Sequence, residues 1–241
     1  GTGGTSATNG DNPIISTPTV DEYFEFYSTL SFIQKKWCDS NFDLIKNFLI
    51  QNNYSADAEN SAKLAIELLN SSSNNLTFNE LITVFESEQY YRSKMSETEI
   101  IMFEAMPRSD QIKYLKSALT ASNETENIFP TYCERYNGKG DAFRHAYWNA
   151  LASQSLGVNT TKLLTTKHEE KPSEYPYNYK ENEMDLFNNQ IGRDIFTQGS
   201  SNLKQDVLNA LNNGSLRYLS NQTTDGKCRA SFSSQLTPTN Q

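Results

Sequence analysis

Gly140-Asp141-Ala142-Phe143-Arg144-His145-Ala146-Tyr147-Trp148-Asn149-Ala150-Leu151 is the stretch whose reading decides the fold. Set at 100° per residue, Phe143, Ala146, Tyr147, Ala150 and Leu151 form one apolar stripe. The opposite stripe holds Asp141, Arg144, His145, Trp148 and Asn149. A solvated stripe normally carries Lys, Glu and Gln. Trp148 at the centre of this one argues that it is covered, because an exposed indole there would be costly. The helix is therefore expected to lie inside a helical layer, with polar groups buried on its second face. Such groups cost several kcal/mol unless the fold supplies partners.

The rest of the chain agrees with an all-α fold, mainly helical with little or no sheet. Val20, Tyr23, Phe24, Tyr27 and Leu30 recur at helical spacing, as do Phe42, Ile45 and Leu49, and Ala58, Ala62, Ala65 and Leu69. Thr77 with Glu80 and Ser96 with Glu99 read as capping boxes. Pro107 ends one helix, and the next carries Ile112, Leu115 and Leu119. Ala121–Asn127 and Ser71–Asn75 read as polar loops. Further helices are expected over about 141–155, 160–168, 182–196 and 202–212, with a Pro/Tyr-rich loop from Lys171 to Lys180. The resulting organisation is a flexible tether over 1–17, a helical region over 18–125, a motif-bearing helical domain over 126–230, and a polar, frayed tail over 231–241.

The chain has 241 residues and a formal charge of -8. The charge is uneven: residues 1–130 carry -9 and residues 131–241 carry +1. An acidic chain is poorly suited to nucleic acid, and no window is apolar enough for a transmembrane segment. A Gly/Thr/Ser-rich start of this kind often follows a removed export signal or a lipid-modified cysteine, so an extracytoplasmic place and a lipid anchor upstream of residue 1 are expected. Of the three cysteines, Cys38 sits in a helical apolar stretch as a buried thiol. Cys133 and Cys228 lie in loop-like sequence, able to pair in an oxidising compartment or to stay free.

Candidate chemistry gathers in residues 141–194. His145 and His168 are the only histidines of the chain. His168-Glu169 stands at a helix end. Around Asp185, the residues Met184, Phe187, Ile191 and Ile195 make an apolar stripe, and Asp185, Asn189 and Gly192 lie beside it. Gly192 inside a helix costs about 1 kcal/mol relative to Ala, and close approach of a backbone or ligand is the physical excuse for it.

Two functions compete. In a hydrolase, His145 backed by Asp141 or Asp185 is the general base, and Arg144, Asn149 and Asn189 hold developing negative charge. A variant adds a divalent metal on His145, His168 and Asp185, with Asp141 and Glu169 as further oxygen ligands. In a binding or structural module, the same residues form a sealed polar network and the acidic half faces a protein or glycan partner. On that reading Asp141 is a helix N-cap, Arg144 an ion-pair partner and Trp148 core packing.

The strings Asp141-Ala142-Phe143-Arg144-His145-Ala146-Tyr147-Trp148-Asn149-Ala150, His168-Glu169, and Met184-Asp185-Leu186-Phe187-Asn188-Asn189-Gln190-Ile191-Gly192-Arg193 resemble a bacterial domain family of unknown function, found on secreted and surface proteins. The resemblance covers about residues 133–200. It implies that Asp141, Arg144, His145, His168, Glu169, Asp185, Asn189 and Gly192 belong to one site. A fainter likeness to small secreted phospholipases A2 rests on Arg144-His145. Ala146 stands where their aspartate would be, so their calcium-assisted mechanism does not carry over.

Overall fold

The computed structural model describes residues 20–71, 75–171 and 175–241. The expected tether over 1–17 lies outside the described residues, as do 72–74 and 172–174 of the two expected loops. The chain divides into two compact units, one up to residue 72 and one from residue 73.

The first unit contains α1 (Val20–Ser28), α2 (Phe32–Ser40), α3 (Phe42–Gln51) and α4 (Ala56–Asn70). Its core is Phe26, Leu30, Cys38, Ile45, Leu49 and the Ala58/Ala62/Ala65 face of α4. Cys38 is a free, buried thiol, and burial pushes it up to about 11. Ser31 caps α2 through a reciprocal box with Gln34.

The second unit contains α5 (Phe78–Lys94), α6 (Glu97–Ala105), α7 (Arg108–Ile128), α8 (Tyr132–Arg135), α9 (Lys139–Leu156), α10 (Val158–His168), α11 (Asn178–Thr197), α12 (Leu203–Asn212), β1 (Arg217–Ser220) and β2 (Gln235–Pro238). The fold is mainly helical. Both expected capping boxes form, at Thr77/Glu80 and Ser96/Glu99. The long helix α9 is the axis of the unit, packed by α7, α10, α11 and α12. It is buried on both stripes, with only Arg144, Leu151 and a few terminal residues reaching solvent. Ala142, Ala146, Ala150 and Ala152 are the reason the neighbours come so close. Nowhere is this tighter than at Gly192 of α11, where an added Cβ would stand 2.0 Å from the Ala146 carbonyl oxygen. The mid-helix glycine is thus explained by backbone contact.

Three local expectations are corrected. Ala121–Asn127 is not a loop: α7 runs through it to Ile128, because Ala121 and Thr125 are buried on the side that packs along α9. Tertiary contact outweighs the weak helix propensity of Ser122-Asn123-Glu124-Thr125. On α11 the buried face is Glu181, Met184, Asn188, Asn189, Gly192 and Arg193, whereas Phe187 is 36% exposed under the Arg217 guanidinium. The polar face is turned inward because its partners are the polar face of α9.

The tail is not frayed either. Gln235–Pro238 pairs antiparallel with Arg217–Ser220, in a two-stranded sheet. Leu236 packs on Met184, Leu219 and Ala230, and Thr239 donates to the Leu211 carbonyl. Lys180 donates to the carbonyls of Ser231, Phe232 and Ser234 at 2.8–3.0 Å. The strands are four residues long with too little apolar alternation to announce themselves. Cys133 and Cys228 are joined in a disulfide with Cα atoms 5.4 Å apart, and no described helix is long and apolar enough to cross a membrane.

Candidate functional site

Facing polar stripes of α9 and α11 meet around His145. The ring is 3% exposed and both its nitrogens are engaged. Arg144 Nη2 lies 3.0 Å from Nε2. A guanidinium can only donate, so Nε2 is the lone-pair nitrogen and Nδ1 carries the proton. Nδ1–H then donates to Asn189 Oδ1 at 3.1 Å. Asn189 Oδ1 also accepts from Asn149 Nδ2 at 2.6 Å. Asn149 Oδ1 in turn accepts from Arg193 Nη1 at 2.8 Å and Thr165 Oγ1 at 2.9 Å. Every member of this chain is buried, so the tautomer of His145 is fixed by a satisfied polar network.

Three carboxylates surround the same ring. Asp141 Oδ1 is 3.5 Å and Asp185 Oδ1 3.3 Å from Nε2, and Glu169 Oε1 is 3.8 Å from Nδ1. Asp141 also pairs with Arg144 through a short hydrogen bond. Asp141 is not the helix N-cap. That position belongs to Gly138, and Asp141 reaches back to accept the Asn137 amide at 2.7 Å. Asn137 takes a left-handed conformation, φ 60°, and its side chain donates to Glu181 and to the Cys228 carbonyl. The disulfide segment is thereby tied to Asp141 through one asparagine.

The electrostatics follow from crowding. Burial, with the Arg144 guanidinium beside it, pushes His145 well below the ordinary imidazole range, so the ring is neutral. Burial, and then the Glu169 and Asp141 carboxylates, push Asp185 well above the usual carboxylate range. Burial also raises Glu169, against the pull of His168 and Lys171. Asp185 Oδ1 is buried and has no hydrogen-bond partner among the described residues.

His168 stands apart from this cluster. Its Nδ1 is 2.7 Å from Glu99 Oε2, a carboxylate that is itself 1% exposed. Glu99 Oε1 accepts from Tyr114 Oη at 2.7 Å, and Oε2 from the Ser96 amide at 3.3 Å. An acceptor of this kind holds a proton on His168 Nδ1, and Nε2 has no hydrogen-bond partner among the described residues. The two imidazoles are bridged by Trp148, whose ring lies 6.2 Å from His145 and 5.1 Å from His168. The Trp148 indole N–H is buried and has no hydrogen-bond partner among the described residues.

All of this opens into a cavity of about 870 Å³. Asp141, Arg144, His145, Trp148, His168 and Asp185 line it, together with Tyr90, Tyr91, Tyr132 and Tyr136. Arg144 is the one basic member of the α9 stripe with room to move, its side chain being 30% exposed.

The sequence-predicted residues therefore converge in part. Asp141, Arg144, His145, Asn149, Glu169, Asp185 and Asn189 meet around one imidazole. His168 lines the same cavity, with its Nδ1 on Glu99, and does not join His145 and Asp185 of the expected metal set in the cluster around His145. Among the described residues, the group with metal-ligand geometry is Asp141, His145 and Asp185, their donor atoms all within 4.8 Å of one another. Glu99, Tyr114, Thr165 and Asn137 escaped sequence reading. Glu99 was legible only as a capping-box residue, and nothing local signals that its carboxylate has a second use. Arg193, next to the mid-helix glycine, did carry a signal: a charge adjoining the tightest helix contact must be buried and paired.

No curated protein and no solved structure matches the chain. Residues 101–217, which carry α7 to the start of β1 and all the residues around His145, match the family model described as a domain of unknown function (DUF6973), whereas Glu99, Ser96, Tyr90 and Tyr91 lie before the match.

Proposed function

We propose that the cavity of the second unit is a hydrolytic active site in which His168, backed by Glu99, takes a proton from water. The observation that carries this reading is the pairing of buried Glu99 with half-buried His168, a residue of the cavity lining whose Nε2 is unengaged among the described residues. A carboxylate that fixes the tautomer and supports the developing imidazolium is the arrangement general-base catalysis requires. Such a base contributes about 10²–10⁴-fold. Arg144 and the unpartnered Trp148 N–H are donors in the same cavity, suited to an oxyanion as it forms. His145, by contrast, has both nitrogens engaged and serves to position the residues around it.

The tyrosines of the lining suit an extended polar substrate, with rings to stack on and hydroxyls to hydrogen-bond. An extracytoplasmic setting belongs to the same proposal, and the Cys133–Cys228 disulfide supports it, since such bonds persist in oxidising compartments.

The second reading, a non-catalytic module, is favoured by the sealed His145–Asn189–Asn149–Arg193 network. A panel assay separates the two. The full chain is incubated with chromogenic esters, phosphoesters, glycosides and peptide anilides. The proposal expects turnover of at least one class, with kcat lowered about 10²–10⁴-fold by His168→Ala and the helical circular dichroism unchanged. Turnover indifferent to His168 refutes the base assigned here, and no turnover across the panel refutes the proposal in favour of the module.

A further inference from the structure

We propose that Asp141, His145 and Asp185 hold one divalent transition-metal ion, of the Zn²⁺ or Mn²⁺ class, with the Arg144 guanidinium giving way to it. The site goes beyond the hydrolase reading and stands on separate observations.

Distance is the first of them. Ligand atoms around a tetrahedral ion with bonds of about 2.0–2.1 Å are separated by about 3.3–3.4 Å. His145 Nε2 lies 3.5 Å from Asp141 Oδ1 and 3.3 Å from Asp185 Oδ1. All three donors fall within 4.8 Å of one another, so the two His145 separations already fit and side-chain rotation of the two aspartates, by about an ångström or more, closes the set. Each separation is too long or misaligned for a good hydrogen bond, yet both fit a shared ion.

The outer contacts are those of a ligand shell. Metal-bound histidines donate their second ring N–H to a neighbour that fixes the tautomer, and ligating carboxylates are themselves hydrogen-bonded. His145 does the first through Asn189, which Asn149 holds in turn. Asp141 does the second: Oδ2 accepts the Asn137 amide, leaving Oδ1 toward His145. Asp185 supplies the independent sign, because its Oδ1 is buried, faces Nε2 and has no hydrogen-bond partner among the described residues. An acceptor left so is expensive unless a cation or donor meets it.

Charge points the same way. Asp141, Glu169 and Asp185 place three carboxylates around a neutral ring, at 4%, 9% and 14% side-chain exposure. Arg144, in contact with Asp141 Oδ1 and with Nε2, returns one positive charge. A divalent ion in place of that guanidinium adds one further positive charge to a group that Lys171 also faces. Arg144 has somewhere to go, since it is partly exposed and lines the cavity. One imidazole with two carboxylates is a borderline donor set, which suits Zn²⁺ or Mn²⁺.

The test is a titration without substrate, so it is independent of any hydrolysis. The full chain is stripped with a chelator and titrated with ZnCl₂ and with MnCl₂ by calorimetry. One ion per chain is expected. Asp185→Asn, isosteric and less charged, should weaken binding at least tenfold, and Arg144→Met should tighten it severalfold by removing the competing cation. Because the chain has two histidines, ¹⁵N resonances of the wild-type rings report the ligand directly: Zn²⁺ should shift His145 Nε2. The proposal is overturned by no saturable binding of either ion, by affinity indifferent to Asp185→Asn, or by a shift confined to His168. A titration that succeeds while the substrate panel fails leaves a metal-binding module. The reverse leaves a hydrolase that works without the ion.

Discussion

Gly192→Ala tests the packing on which the site depends. In an exposed helix this change would stabilise by about 1 kcal/mol. Here the new Cβ meets Ala146 O at 2.0 Å, Ala146 C at 2.8 Å and Ala146 Cα at 2.9 Å, all of them backbone. Carbon–oxygen contacts relax to about 3.3 Å, so α9 and α11 must part by about 1.3 Å there. Overpacking of this kind costs about 1–3 kcal/mol. The same parting stretches the His145–Asn189 and Asn149–Asn189 hydrogen bonds, now 3.1 and 2.6 Å, at about 1 kcal/mol each. After the propensity gain, the net loss is about 2–4 kcal/mol. Urea unfolding followed by Trp148 fluorescence in a Trp37→Phe background reads the second unit alone, since the chain has two tryptophans. A neutral or stabilising Gly192→Ala would refute the close-contact account and, with it, the rigidity assigned to His145.

Three further outcomes follow from the same structure. Tyr114→Phe keeps the ring contacts with Phe103 and Trp148 but removes a donor from buried Glu99, and should cost about 1.5–3 kcal/mol by thermal or urea unfolding. Replacing Cys133 and Cys228 together by Ser releases a loop with a sequence separation of 95, and the chain-entropy relation puts the loss at about 4–5 kcal/mol, read as a lower urea midpoint for the second unit. On α11, Asn188→Ala should be far worse than Phe187→Gln: Asn188 exchanges two hydrogen bonds with the Arg217 backbone at 2.8 and 2.9 Å, worth about 2–3 kcal/mol together, whereas the half-open Phe187 should change stability by less than about 1 kcal/mol.

That last pair shows where the sequence could be read and where it could not. The all-α architecture was legible because capping residues, Pro107 and helical spacing are local signals. The double-sided burial of α9 was legible from Trp148 sitting among polar residues, and the meaning of Gly192 from its cost in a helix. On α11 the usual rule failed in part: Met184 of the apolar stripe is buried, but Phe187 stayed outside and Ile191 and Ile195 only half-buried, since the partner surface on α9 is polar and matching hydrogen bonds outweighed transfer of a ring. The course of α7 through Ser122–Asn127 failed for a related reason, long-range contact overriding weak local preference. The Glu99–His168 pair spans 69 positions, and no spacing rule reaches that far. His168 lines the cavity that His145 lines, and its hydrogen-bonding companion is Glu99, a residue far from it in sequence.

The hairpin has a practical consequence for anyone handling the protein. A last stretch rich in Ser, Thr and Gln looks dispensable, an obvious place to trim. Yet shortening the chain at residue 230 would strip away the strand facing Leu219, free the Lys180 ammonium from its three carbonyls, and unroof Met184 two turns from the start of α11. The damage would travel along α11 to Asp185, one residue further on. A shortened version that lost its function would then say nothing about catalysis by those eleven residues, only that a clasp had been undone.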